Sequence, residues 1–215
     1  MSFEGGSEVF IKNIKYKHLL ILFHGYGANG VDIMPFAYEV KHDLENTALL
    51  APNGFEPVFG IEGGYKWFDI DDLTPEDIYK NMIIQKGKLI NYIEEQLKRF
   101  DLDYKDLVLG GFSQGACISL YLNFILNQKI NSVLSLSGGL PFAEQIIQES
   151  KEFSNNICLI HGKNDGVIPY HYSVETDAIF HKHGIKSQLH LINGMEHTIG
   201  IECIKIARDF LNKNI

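Results

Sequence analysis

Gly111-Phe112-Ser113-Gln114-Gly115 follows the apolar run Leu107-Val108-Leu109 and leads into a helical pattern. This order constrains the chain more than any other stretch, because it requires a buried strand to turn sharply into a helix. A serine on such a turn sits in a sparsely populated φ/ψ region, at a cost of about 1–3 kcal/mol. Glycines two positions before and two after it leave no Cβ where strand and helix come closest. The helix then starts at Gln114, and its free N–H groups point at any negative charge that forms beside Ser113. A G-x-S-x-G in this setting is the nucleophile elbow of a serine hydrolase.

The rest of the chain alternates in the same way. Short apolar runs at residues 9–14, 19–23, 47–51, 107–110, 132–136, 157–160 and 187–192 read as strands. Most are continuously apolar, which suits strands covered on both faces. The first alternates and lies close to the second, as an antiparallel edge would. Helical patterns fall at residues 32–42, 74–100, 114–126, 170–183 and 199–212. The clearest is 74–100, with Thr74 as its cap, Pro75 in its first turn, and Ile78, Met82, Leu89, Ile93 and Leu97 at helical spacing. The alternation predicts a mostly parallel, doubly wound α/β sheet with helices on both faces and functional loops at the strands' carboxyl ends.

At 215 residues, 45% apolar and 21% charged, residues 1–215 read as one folded domain able to bury a core without disulfides or metal. The formal net charge is −8, and the nearest approach to a basic patch is Lys182 with Lys186. This argues against nucleic acid or an anionic membrane as a main partner. Cys117, Cys158 and Cys203 are scattered, as reduced, mostly buried thiols of a cytoplasmic protein would be. The first residues carry no signal-peptide pattern, and no apolar run is long enough to span a membrane.

A serine needs a base, and the base needs an orienting acid. In hydrolases of this topology the chain order is serine, acid, histidine. Among the later acids only Asp165 lies in a loop just past a predicted strand; Glu175 and Asp177 fall inside a helix. Of the later histidines, His197 sits between the last strand and the last helix, whereas His171, His181, His183 and His190 lie on a helix or within a strand. The expected catalytic set is therefore Ser113, Asp165 and His197. The oxyanion hole needs a backbone N–H besides that of Gln114, and Tyr26 in His24-Gly25-Tyr26-Gly27 is the candidate. His24 is expected to hydrogen-bond within its own turn.

Gly25, Gly27 and Gly30 also spell G-x-G-x-x-G, which would suit a dinucleotide-binding oxidoreductase. That fingerprint needs an acid at the end of the next strand, and residues 47–51 run instead into Pro52-Asn53. Neither cofactor nor metal is expected. The other rival, a non-catalytic binding protein of the same fold, would not need all three candidate catalytic residues in loops.

His24-Gly25-Tyr26-Gly27, Tyr65-Lys66-Trp67-Phe68-Asp69, Gly111–Gly115, Asp165 before Val167-Ile168-Pro169, and Met195-Glu196-His197 together resemble the phospholipase/carboxylesterase family. The resemblance spans nearly the whole chain. It implies an α/β-hydrolase fold without a large lid domain, and hydrolysis of carboxylic esters or thioesters. It also implies the triad Ser113–Asp165–His197, with the Tyr26 and Gln114 N–H groups as oxyanion donors. Glu196 departs from the pattern, since many relatives carry glycine just before the histidine.

Trp67 lies in the irregular segment 52–73 with Phe55, Phe59, Tyr65 and Phe68. These aromatics suit either inward packing or a groove beside Ser113, and the resemblance assigns Trp67 and Phe68 to the substrate side. Segment 138–153 is the other candidate groove wall. The expected partners are a small-molecule or lipid acyl ester or an S-acylated protein. Exposed aromatics around Trp67 would alternatively serve a membrane surface or a homodimer.

Overall fold

The computed structural model describes residues 5–10, 14–41, 44–70, 72, 74–154 and 156–215. The chain opens with β1 (Gly6–Val9) and β2 (His18–Phe23), followed by α1 (Met34–Lys41) and β3 (Thr47–Pro52). Two short strands, β4 (Glu56–Pro57) and β5 (Tyr65–Lys66), pair as an antiparallel ribbon. Then come α2 (Pro75–Ile84), α3 (Lys86–Phe100), β6 (Leu107–Phe112), α4 (Gln114–Ile125) and β7 (Ser132–Leu136). The chain ends with α5 (Ala143–Glu149), β8 (Ile157–Gly162), α6 (His171–Lys182), β9 (Ser187–Ile192) and α7 (Ile201–Asn214).

The main sheet has seven strands in the order β1-β3-β2-β6-β7-β8-β9, all parallel except β1 against β3. The apolar runs are continuous because each strand serves two cores. Leu19, Ile21 and Phe23 face the layer that includes Met82, Leu89, Ile118 and Phe180, from α2, α3, α4 and α6. Leu20 and Leu22 face Met34, Val40, Ala207 and Leu211, from α1 and α7. Burying each such side chain contributes roughly 1.5–3 kcal/mol.

The connection after β2 runs through α1 toward β3, whereas that after β6 runs through α4 toward β7 on the opposite face. The loops leaving the carboxyl ends of β2 and β6 therefore diverge, and a crevice opens between them. Ser113 and His24 stand at its two sides.

Two local features differ from the sequence expectation. The helix expected over 74–100 starts as foreseen, with Thr74 Oγ1 accepting the Asp77 N–H at 3.2 Å, but it is interrupted at Gln85. There the N–H bonds Met82 O, three residues back, instead of continuing the i−4 ladder. The apolar spacing passes through this tightened turn unchanged, so periodicity alone could not reveal it. The strand expected at 9–14 lies at Gly6–Val9 instead, and residues 11–13 fall outside the described ones.

Candidate active site

Ser113 adopts φ 57°, ψ −116°, a conformation rare for a residue with a side chain. Packing over-determines it. A Cβ on Gly111 would stand 2.2 Å from Gly115 O, and one on Gly115 would stand 2.0 Å from Phe23 O. The strand–helix corner therefore fits only with glycine at both places. Ser113 N–H donates to Leu136 O at 2.9 Å, which ties the turn to β7.

The loops after β8 and β9 carry the next two residues. Asn164 N–H donates to Met195 O at 3.0 Å and Lys163 N–H to Ile192 O at 2.9 Å, so the two loops are joined through their backbones. A Cβ on Gly162 would lie 2.1 Å from Met195 O, which explains glycine there. His197 Nδ1 is 2.7 Å from Asp165 Oδ2, and His197 Nε2 is 3.0 Å from Ser113 Oγ. Because a carboxylate only accepts, Nδ1 carries the proton, which leaves Nε2 free to accept one from Ser113. The Asp165 side chain is fully buried. Burial alone would raise its pKa, but hydrogen bonds from His197 and from the Ile168 and Val167 N–H groups outweigh it and hold the carboxyl below its usual range.

The other side of the crevice is the loop after β2. A Cβ on Gly25 would meet the Ser113 Cβ at 3.3 Å, so this backbone passes directly beside the serine. Neither the Tyr26 N–H nor the Gln114 N–H has an acceptor among the described residues. His24 Nδ1–H donates to Gly25 O at 2.7 Å while Nε2 accepts the Gly54 N–H at 2.8 Å, so the ring is neutral and shapes its own turn. Burial lowers its pKa in the same sense. The Gly30 N–H, which a dinucleotide fingerprint would aim at phosphate, is taken by Asn53 Oδ1 at 2.9 Å.

Trp67 does not occupy the expected substrate side. It is fully buried, edge-on to Phe23 and Phe55, and its Nε1–H donates to His24 O at 2.9 Å. It buttresses the loop after β2 from behind, because an indole N–H needs an acceptor once buried and His24 O supplies it. Phe68, by contrast, lines an apolar groove of about 400 Å³ that starts at Ser113 and Gln114 and continues past Ile78, Leu140, Phe142 and Ile168. Segment 138–153 contributes to that groove as expected, through α5 and the turn before it. A second cavity of about 560 Å³ lies beside His197 and is lined also by Phe112, residues of α1 and Ile204 of α7, with Asp32 and Glu39 on its wall.

Sequence reasoning missed three side chains. The Gln114 amide accepts from Trp67 N at 2.9 Å and donates to Phe68 O at 2.9 Å. His161 and Ser173 are fully buried behind Asp165. A histidine ending an apolar strand run, four residues before the acid, was the available signal for His161. The three cysteines are free and buried, and burial pushes the Cys117 thiol up to about 11 and those of Cys158 and Cys203 up to about 12. No helix among the described residues is long and apolar enough to cross a membrane. No metal-binding cluster of His, Cys, Asp or Glu occurs among the described residues.

The chain is similar in sequence and fold to known proteins. The chain is 24% identical over 203 residues to acyl-protein thioesterase 1 homolog 1 of Dictyostelium discoideum, covering 91% of this chain and 90% of that protein. It is 28% identical over 218 residues to acyl-protein thioesterase 1 of Candida albicans, covering 93% and 92%. The crystal structure of esterase PE8 superposes with a TM-score of 0.90 at 26% identity, over 98% of both chains. That of acyl-protein thioesterase 2 of Zea mays gives 0.75 at 22% identity, over 98% and 99%, and shares the fold. The pattern of the phospholipase/carboxylesterase family matches residues 4–215, and the chain belongs to that family.

Proposed function

We propose that this protein is a single-domain serine hydrolase that cleaves carboxylic esters and thioesters through an acyl-enzyme on Ser113. The observation that carries the reading is the unbroken line from Ser113 Oγ through His197 to Asp165 Oδ2, with contacts of 3.0 and 2.7 Å. In this scheme Ser113 Oγ attacks the acyl carbonyl carbon and passes its proton to His197 Nε2. The N–H groups of Tyr26 and Gln114 receive the oxyanion. Asp165 stabilises the imidazolium that forms. The tetrahedral intermediate then expels the alcohol or thiol, which takes its proton from His197, and water repeats the attack on the acyl-enzyme.

The two cavities divide the substrate. The apolar groove, continuous with Ser113, takes the acyl chain, and the cavity beside His197 takes the leaving group. Acyl-protein thioesterases among the relatives support S-acylated protein as one donor class, beside simple and lipid esters. The free cysteines fit a reducing, cytoplasmic setting.

A fluorophosphonate probe is expected to label Ser113 stoichiometrically, and Ser113→Ala is expected to abolish labelling and lower kcat by roughly a millionfold. Retained hydrolysis in that variant would sink the assignment. Aryl esters of graded chain length, tested beside a palmitoylated peptide and a lysophospholipid, rank the donor classes.

A further inference from the structure

His161, the penultimate residue of β8, is fully buried and touches none of the reacting atoms. Its Nε2 lies 2.9 Å from Ile168 O and 3.2 Å from Asp165 Oδ2. Both are acceptors, so this nitrogen carries the ring proton. Its Nδ1 lies 2.6 Å from Ser173 Oγ on α6, and Ser173 Oγ is itself 2.7 Å from Gly138 O. Burial lowers the pKa of the imidazole and so favours its neutral form, in which Nδ1 and Gly138 O are alternative acceptors for the single Ser173 hydroxyl proton.

Two consequences follow from this geometry. First, Asp165 meets four donors: Val167 N and Ile168 N on Oδ1, and His197 and His161 on Oδ2. Two imidazoles share one carboxylate oxygen, so the carboxylate cannot rotate without breaking contacts on both sides. Second, much of the apolar groove's lining comes from the stretches 139–144, 167–169 and 172–179. The His161 network reaches into or directly abuts each of them, at Gly138, Ile168 and Ser173. The seat of the acyl chain and the carboxylate that orients His197 are thus fastened to one buried ring.

We propose that His161, together with Ser173, is a positioning residue for hydrolysis that locks Asp165 and ties the walls of the acyl groove to it. The inference rests on the proposed roles of Ser113, Asp165 and His197. Misplacing an orienting group by a fraction of an ångström to an ångström costs up to about 100-fold in rate.

The test compares His161→Leu, His161→Gln and Ser173→Ala with wild type on a short and a long aryl ester, with thermal unfolding measured on each. His161→Leu is expected to lower kcat by about 10–100-fold while leaving KM for the short ester within about two-fold. His161→Gln, whose amide N–H can replace the donor to Asp165 and Ile168, is expected to recover most of that loss. Ser173→Ala is expected to lower kcat more on the long ester than on the short one. A folded His161→Leu with wild-type kcat overturns the proposal. So does an equal loss in the Leu and Gln variants that tracks a lowered unfolding temperature, because that pattern reports folding alone. Should His161→Leu fail to fold, a folded Ser173→Ala with wild-type kcat on both the short and the long ester overturns it. If wild type itself neither hydrolyses ester nor takes up the fluorophosphonate, the hydrolase reading fails instead, and the two failures are distinct.

Discussion

The Gln114 side chain accepts the backbone N–H of Trp67 at 2.9 Å, so the residue after Ser113 is fastened to a strip 47 positions away in the chain. Trp67 in turn donates its indole N–H to His24 O at 2.9 Å. The two halves of the candidate oxyanion hole, Gln114 and the loop after β2, are therefore joined through one buried tryptophan.

Trp67→Phe tests that linkage. It keeps an aromatic ring against Phe23 and Phe55 but leaves His24 O without its donor, which should cost about 1–3 kcal/mol of stability. Steady-state kinetics are expected to show kcat lowered by about 10-fold with KM unchanged for esters of every chain length, because the defect lies in the alignment of the Tyr26 N–H. A rise in KM confined to long acyl chains would instead make Trp67 a substrate contact.

Asp165→Asn should keep the loop's shape and lower kcat by about 10⁴-fold, since the amide cannot hold His197 in the Nδ1–H tautomer. The pH dependence of stability carries a separate signature. The carboxyl has a depressed pKa in the folded state, so its contribution is present above the unfolded value of about 3.9 and is lost as pH falls through the folded value. Urea unfolding should therefore give a wild-type advantage over Asp165→Asn that is flat above about pH 5 and shrinks below about pH 4. An advantage that persists unchanged into acid would contradict the depressed carboxyl.

Gly115→Ala places a methyl 2.0 Å from Phe23 O and 2.4 Å from Phe23 C, both backbone atoms of a buried strand. Neither can retreat without moving β2. The variant is expected to lose more than about 3 kcal/mol or fail to accumulate as folded protein. Gly87→Ala, on open surface in the first turn of α3, is the matched control and should be neutral or stabilising. Equal stability of the two variants would refute the close-packed corner.

The sheet was legible because strands covered on both faces must be apolar throughout, and runs such as Leu19–Phe23 have no other use. The order serine, acid, histidine could be anticipated because Ser113, Asp165 and His197 each lie in a turn or loop just past the carboxyl end of a strand. Trp67 was misassigned for a physical reason: an aromatic beside a candidate site reads alike whether its ring faces the groove or the core, and only the position of His24 O decides. The ribbon of β4 and β5 and the short α5 escaped notice because two-residue strands and a seven-residue helix are too short to express a period. His161 escaped because its role depends on Ser173 and Gly138, which only the fold brings to it.

The apolar groove makes a final prediction about chain length. Ile78 of α2 lines the groove and is neither a triad residue nor a backbone donor, so Ile78→Trp is expected to narrow the groove while leaving Ser113, His197 and the Tyr26 and Gln114 N–H groups in place. Each methylene that no longer reaches apolar wall forfeits about 0.8 kcal/mol, or about four-fold in kcat/KM. Acetyl esters, too short to reach Ile78, should be hydrolysed at the wild-type rate. Long-chain esters should lose ground progressively, and the preferred acyl length should shorten. An equal loss at every chain length would show that the acyl chain lies elsewhere, leaving the cavity beside His197 as the alternative seat.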